Sequence, residues 1–328
     1  MHSTRRAFFL SGLVVGTVGA LSGPLAWAQE YPSRPIMIVV PFSAGGGVDA
    51  VARLVGERLR VALNQSVIIE NKGGASGMLG AAAVAKAAPD GYTLLMGSAG
   101  ETAINPLIYK RMQYSPEKDL APISLVTRVP NVLVASPTLP VKNIAELVEY
   151  AKKNPGVTYA TSGVGNPQHL NGELLASLAG VKMNHVPYKG ASGQLVDVAS
   201  GNVNLTFVSM AGAIPFIKAG RVKPLAVTSA KRASFAPDIP AIAEYAPLAA
   251  YKLENWFGLF APAGTPAAVQ AKLNTVVGQV LRDPELIKLL QEQGGEAAPM
   301  TQEAFREFIK TETAQYARIV QSANITAE

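Results

Sequence analysis

Apolar runs alternate with amphipathic stretches along almost the whole chain. Extended runs stand at "IMIVV" (36–40), "SVIIE" (66–70), "YTLLMG" (92–97), "NVLVAS" (131–136), "VTYATS" (157–162), "KMNHVP" (182–187), "VNLTFV" (203–208) and "KPLAVT" (223–228). Over 49–63, 77–88, 143–153, 167–179, 191–200 and 211–219, apolar positions recur instead at helical spacing, which predicts helices with one buried face. Strands and helices that alternate in this way predict βαβ units and parallel sheets. Gly180 in "LASLAG" and Gly220 in "FIKAG" end two of the helical stretches, where a left-handed residue closes the last turn.

Two long extended stretches break the alternation, "APISLVTRVPNVLVASP" (121–137) and "YKLENWFGLFAPAG" (251–264). Neither contains a helical interval, so each is predicted to cross between two lobes. The lobe boundaries that follow are 29–128 plus 254–328 for the first lobe and 129–253 for the second. After the second crossing only helices are expected, at 266–283, 284–294 and 301–323. The last carries Phe305, Phe308, Ile309, Tyr316, Ile319 and Val320 at near-helical spacing, a face made to dock. The predicted fold is a two-lobed α/β protein with a cleft between the lobes, where small ligands bind by preference. Trp256, in the second crossing, is expected to pack at the hinge.

Residues 1–28 read as a cleaved signal peptide. Arg5 and Arg6 precede the apolar stretch "AFFLSGLVVGTVGALSGPLA", and "AWA" supplies small residues before Gln29. "TRRAFF" also resembles a twin-arginine export signal. No later stretch approaches the ~18 to 20 apolar residues that span a bilayer, so a soluble periplasmic protein is expected.

Composition narrows the chemistry. With 48% hydrophobic and 16% charged residues among 328, the chain is globular and long enough for two medium domains. It has no cysteine, which excludes disulfides, thiolate metal sites and a cysteine nucleophile. Removing Arg5 and Arg6 lowers the formal charge from +6 to about +4, enough to attract anionic solutes. Lysines and arginines are scattered rather than clustered with aromatics, which argues against nucleic-acid binding.

The stretch "VVPFSAGGGVDAVARLVGERL" (39–59) passes from strand through Gly45, Gly46 and Gly47 into a helix that begins near Asp49. A glycine turn at a helix start presents backbone N–H groups to an anion. Gly45, Gly47 and Ala50 also spell G-x-G-x-x-A, with Glu70 ending the next strand, as in a dinucleotide site. Against that reading, "PFSA" intervenes between strand and glycine, and Asp49 would sit near the pyrophosphate. No Lys-Ser or Lys-Thr follows, so it is no Walker loop. In the plain structural reading the glycines only turn the chain.

The device recurs at "GSAGETAIN" (97–105) and "ATSGVGNPQHL" (160–170), each at the end of a strand. Ser98, Thr102, Thr161 and Ser162 offer hydroxyls there, and unbonded N–H groups are expected to point into the same space. Catalytic patterns are thin. His169 and His185 lie outside H-E-x-x-H, and "ATSGVG" lacks the first glycine of a hydrolase nucleophile turn. His169 and Glu173 have a metal-ligand spacing with no further ligands grouped nearby. His185, inside a strand, reads as a structural histidine, and His169 as a hydrogen-bonding partner of the ligand or of the adjacent turn.

"YPSRPIMIVVPFSAGGGVDAVARLVGERL" with "ENKGGASGMLGAAAVAKAAPDGYTLLMGS" strongly resembles the substrate-binding proteins of the tripartite tricarboxylate transporters, the Bug receptors. The likeness continues through "INPLIYKRMQYSPEKDLAPISLV", "HVPYKGASGQLVDVASGNVNLTF", "PLAVTSAKR" and "WFGLFAPAGTPAAV", and so covers essentially the whole mature chain. It implies a monomeric periplasmic Venus flytrap without catalytic activity or cofactor. The implied ligand is a small organic carboxylate, held partly through ordered water, and the implied partners are membrane permease subunits. A solute sensor serving a kinase shares this fold, and an exported NAD(P)-dependent oxidoreductase is the rival enzyme reading.

Carried over by position, the first turn contributes Phe42, Ser43, Ala44, Gly45, Gly46 and Asp49, with Ser98 in the matching turn of the same lobe. The second lobe contributes Thr161, Ser162, Gly163 and His169, and Tyr188 and Lys189 of "PYKG" lie near the cleft. Two positions depart from the commoner pattern: Ser209 stands where many members have Asp, and Glu101 where a neutral residue is frequent. Glu101 is expected either to meet a hydroxyl, amine or ring nitrogen of the ligand, or to be a solvated rim or helix-start charge.

Overall fold

Strand residues alternate between two covered faces, which is what fixes the layers. In a computed structural model, which describes residues 31–188 and 191–327 together with His2, β1 (Ile36–Val40) sends Ile36, Ile38 and Val40 to one core. Val39 goes to the other side, with Leu95 of β3 (Thr93–Ser98). Burial on both faces explains why these strands read as continuous apolar runs. The predicted leader, 1–28, lies outside the described residues apart from His2.

One sheet has six strands in the order β11-β4-β10-β3-β1-β2, where β2 is Val67–Asn71, β4 Leu120–Val129, β10 Asn255–Pro262 and β11 Glu296–Ala297. The helices α1 (Gly47–Leu63), α9 (Ala267–Val280) and α10 (Pro284–Glu292) contribute to one of its cores. The other core is closed by α2 (Met78–Ala85) and α11 (Gln302–Ser322), near the short α3 (Asn105–Ile108) and α4 (Pro116–Asp119). The second sheet has the order β7-β6-β8-β5-β9, from β5 (Asn131–Ala135), β6 (Val157–Thr161), β7 (Met183–Pro187), β8 (Leu205–Ser209) and β9 (Lys223–Val227). On one face α5 (Ile144–Lys153) and α6 (Pro167–Ala179) pack over Leu133, Tyr159 and Phe207. On the other, α7 (Ala191–Ser200) and α8 (Met210–Lys218) cover Val132, Val134 and Ala160.

The fold is therefore a two-lobed α/β architecture, and its connections orient the strand ends. Only Pro130 separates β4 in one sheet from β5 in the other. The return strand β10 pairs Asn255 with Val129, and Thr228 ties both crossings together. Its Oγ1 accepts from Asn131 N–H (2.9 Å), its N–H donates to Asn131 O (2.9 Å), and its carbonyl accepts from Leu253 N–H (3.2 Å).

Because β10 runs antiparallel to β3, its hinge-side start lies beside the carboxyl end of β3, with Phe257 opposite Ser98. In the second sheet Asn131, just past the crossing, lies opposite Ser209 at the carboxyl end of β8. The parallel strands of both lobes thus end toward the hinge, and the turns after them open onto the junction between lobes. This is the ligand position in open α/β sheets.

Two details modify the sequence reading. The segment after the second crossing is not helical throughout, since β11 adds a short antiparallel edge beside Thr127 and Arg128 of β4. The last helix also does more than cover its own lobe: its core includes Leu170 from α6 along with Ile104, Ile108 and Trp256. Trp256 is fully buried, donates from Nε1 to Tyr316 Oη (3.1 Å), and meets Phe305 and Phe308 edge-on.

Candidate functional site

The first-lobe turn is organised by one carboxylate. Asp49 is 3% exposed, and its oxygens accept from Gly45 N–H (2.8 Å), Asn71 Nδ2 (2.9 Å) and Arg53 Nε (3.0 Å). Burial pulls the Asp49 carboxyl up, but the bonds from Arg53, Gly45 and Asn71 outweigh it and hold it below the usual range. Asn71 also donates to Phe42 O (3.1 Å), which fastens the turn to the end of β2. Asp49 therefore faces its own turn. Ser43, Ala44, Gly45, Gly46 and Gly47 stay exposed. The helix N-cap, Gly46, supplies no side-chain cap, so the first-turn N–H groups of α1 remain open to an incoming acceptor.

After β3 the chain forms a single π-type turn, Gly100–Ile104. Glu101 is neither solvated nor at a rim: it has no exposure at all. One carboxylate oxygen takes the Ser98 N–H, and the other accepts from Ser98 Oγ at 2.5 Å. Burial raises Glu101 to about 7, with the Ser98 bonds acting in the opposite sense. Thr102 Oγ1 donates back to Ser98 O (2.5 Å).

The second-lobe turn is different, because its own side chains already use its amides. Gln168 Oε1 accepts from Ser162 N–H (2.7 Å), and His169 Nδ1 accepts from Gly165 N–H (3.1 Å). Asn166 caps α6 by accepting from His169 N–H (3.0 Å). The expectation of unbonded amides in every turn therefore holds for α1 and fails here. What this turn offers is the Ser162 hydroxyl, which accepts from Asn166 Nδ2 (3.1 Å) and keeps its own proton to give.

Behind the turn lies a stack of rings. His169 and His185 are 3.8 Å apart and nearly parallel, and Tyr159 stacks on His185. Burial, and next the neighbouring His185, lower His169 to about 3; burial lowers His185 to about 4. Both are neutral at pH 7. Thr161 gives its one proton to Gly163 O (2.7 Å), so His185 Nε2 donates to Thr161 Oγ1 (2.6 Å). His169 Nε2 is 3.8 Å from Glu173, and no group of three or more metal-ligating side chains occurs among the described residues.

Of the remaining candidates, Ser209 caps α8 by accepting from Gly212 N–H (3.4 Å). Tyr188 gives its hydroxyl proton to Asp197 and its N–H to Thr161 O (2.8 Å). Lys189 lies outside the described residues. Sequence reasoning missed the residues that hold the turns, Asn71, Asn166 and Gln168, and also the buried amide of Gln194, whose Oε1 accepts from Thr206 of β8 (3.1 Å). Asn166 carries a readable signal, an N-cap residue just before Pro167. Gln168 acts locally, six residues from Ser162, whereas Asn71 and Gln194 become visible only when distant segments meet.

Two α/β lobes joined by paired crossing strands, with turns from both opening on the junction, define a periplasmic binding protein. Residues 51–325 match the tripartite tricarboxylate transporter family receptor, and the chain belongs to that family. It is 32% identical to the protein BugT of Bordetella pertussis over 317 residues, covering 96% of each chain. Among solved structures it resembles Rpa4515 of R. palustris with adipate (TM-score 0.82, 37% identity, 90% of this chain and 99% of that one). It also resembles MatC of Rhodopseudomonas palustris with bound malate (TM-score 0.76, 31% identity, 88% and 100%). The chain is accordingly a solute-binding receptor rather than an enzyme.

Proposed function

We propose that this receptor captures a small organic carboxylate between its lobes and presents it to the permease subunits of a tripartite tricarboxylate-type transporter. The observation that carries the reading is the uncapped start of α1, held open by Asp49, at the carboxyl end of β1. Exposed amides at a helix start favour a carboxylate through both their hydrogen bonds and the helix dipole. Ser43, Ala44, Gly46 and Ser98 contribute from the first lobe. Ser162 contributes its hydroxyl from the second, while Thr161, Gly163 and His169 keep that turn in shape. Tyr188 and Ser209 border the space. Asp49 and Glu101 act through the turns they brace.

The adipate and malate named with two of the similar structures make dicarboxylates the first compounds to test. The lobes divide near 128/129 and 253/254, with Val129 still paired to Asn255 in the first sheet, and removal of residues 1–28 delivers a monomer to the periplasm. Closure follows from contacts that the ligand makes with both lobes only when they approach. The test is a thermal-shift series of mono-, di- and tricarboxylates. A bound acid at 100 times its Kd should add about 2.7 kcal/mol of stability. No stabilisation by any member of the series would refute the reading.

A further inference from the structure

Glu101 is a fully buried carboxyl group with no cation beside it. Burial and bonds from Ser98 and its own amide are what act on its charge. It lies under the first-lobe turn: a side-chain carbon at Gly77 would come within 3.2 Å of both Glu101 Oε2 and the Phe42 ring. The elements around it supply no counter-charge. Residues 75–77, α2, α3 and β3 carry no titratable side chain. None of Glu117, Lys118 and Asp119 on α4 is buried. On α11 the buried titratable pair, Glu312 and Tyr316, bond each other, and Tyr114 donates to the main-chain carbonyl of Glu101 (2.6 Å).

We propose that Glu101 is a positioning residue that sets the direction of the Ser98 hydroxyl and couples capture of a carboxylate to uptake of one proton. This rests on the reading that a ligand carboxylate meets the Ser98 turn. The hydroxyl of Ser98 has a single hydrogen. When Glu101 is ionised, that hydrogen points at its Oε2, 2.5 Å from Ser98 Oγ. A ligand oxygen then faces a lone pair, with a second negative charge roughly 5 Å away. When Glu101 is protonated, its carboxyl O–H donates to Ser98 Oγ, and the hydroxyl turns outward to donate to the ligand. Two acidic oxygens flanking one hydroxyl need two protons between them, and the free protein near neutral pH holds the second only part of the time. A ligand anion favours the protonated form further, because a like charge disfavours ionisation.

The linkage is read by calorimetric titration with adipate in two buffers of different ionisation heat. Uptake should approach one proton per adipate near pH 8, with the apparent Kd weakening up to about tenfold per unit between roughly pH 7.5 and 8.5. Adipate is fully ionised across that window, and His169 and His185 stay neutral in it. Glu101→Gln mimics the protonated form, its amide N–H on Ser98 Oγ. It should bind with a flat pH profile and no net uptake. Adipate binding by the wild-type protein without proton uptake overturns the proposal even if the variant does not fold, and so does a variant that keeps the slope. If adipate, malate and citrate all leave both the titration and the melting temperature unchanged, the site reading falls and this inference falls with it.

Discussion

Asp49 shows how one side chain makes a binding turn without reaching for the ligand. A helix-start acid is commonplace, but here it is 3% exposed and joins Gly45, Arg53 and Asn71, residues from the turn, the same helix and the neighbouring strand. Asp49→Ala removes the acceptor that Gly45, Arg53 and Asn71 share. The expected cost is about 1.5 to 3 kcal/mol in denaturant unfolding, with weaker ligand binding by calorimetry. Asp49→Asn keeps one acceptor oxygen and should cost less. An alanine variant as stable and as tight as the wild type would show that the glycine turn holds itself. From the sequence, the position of Asp49 was readable, but its direction was not, because Asn71 reaches it across 22 residues.

At the scale of the element, the strand β6 and helix α6 enclose the two stacked imidazoles. Both histidines are lowered by burial relative to an unfolded value near 6.5. At pH 7 both are neutral in the fold and mostly neutral in the unfolded chain, so stability depends on them only weakly. As pH falls below about 6.5 the unfolded chain takes up protons that the fold resists, so stability drops through the window down to about 4 for His185 and about 3 for His169. The steepest slope approaches about 1.4 kcal/mol per pH unit for His169, and less for part-buried His185. Urea unfolding at pH 7 and pH 4.5 measures it, and His185→Gln should flatten the acid limb; an unchanged limb would remove the stack from the account. The strand containing His185 was legible from its alternation. The stacking was not, since it requires α6 to lie on β6 and β7 in one register.

For the whole molecule, the decisive contacts run between lobes. Gly165 lies in the second-lobe turn at φ +72°, and a side-chain carbon there would overlap Ile108 Cδ1 of the first lobe unless that side chain shifts. Gly165→Ala should weaken ligand binding at least about tenfold, part of it from left-handed strain and part from the overlap. Ile108→Ala added to it should recover the overlap part, since the two residues touch and their effects do not add. Titration of both variants tests this, and no recovery in the double variant would mean that strain alone is responsible. Leu170, buried with Trp256 and Tyr316, carries the same coupling into the core.

What the sequence determined is the set of elements, the two crossings and the places where strand ends give way to small residues. These depend on local period and on glycine, proline and hydroxyl chemistry, which act over a few residues. The tertiary structure decided how each turn is held: Asn71 arrives from another strand to fix Asp49 against the first turn, while Gln168 and His169, from the helix that follows, fold back onto the amides of the other. It also decided that Glu101 is buried rather than wet, a consequence of Phe42 and Gly77 closing over it from a different part of the chain.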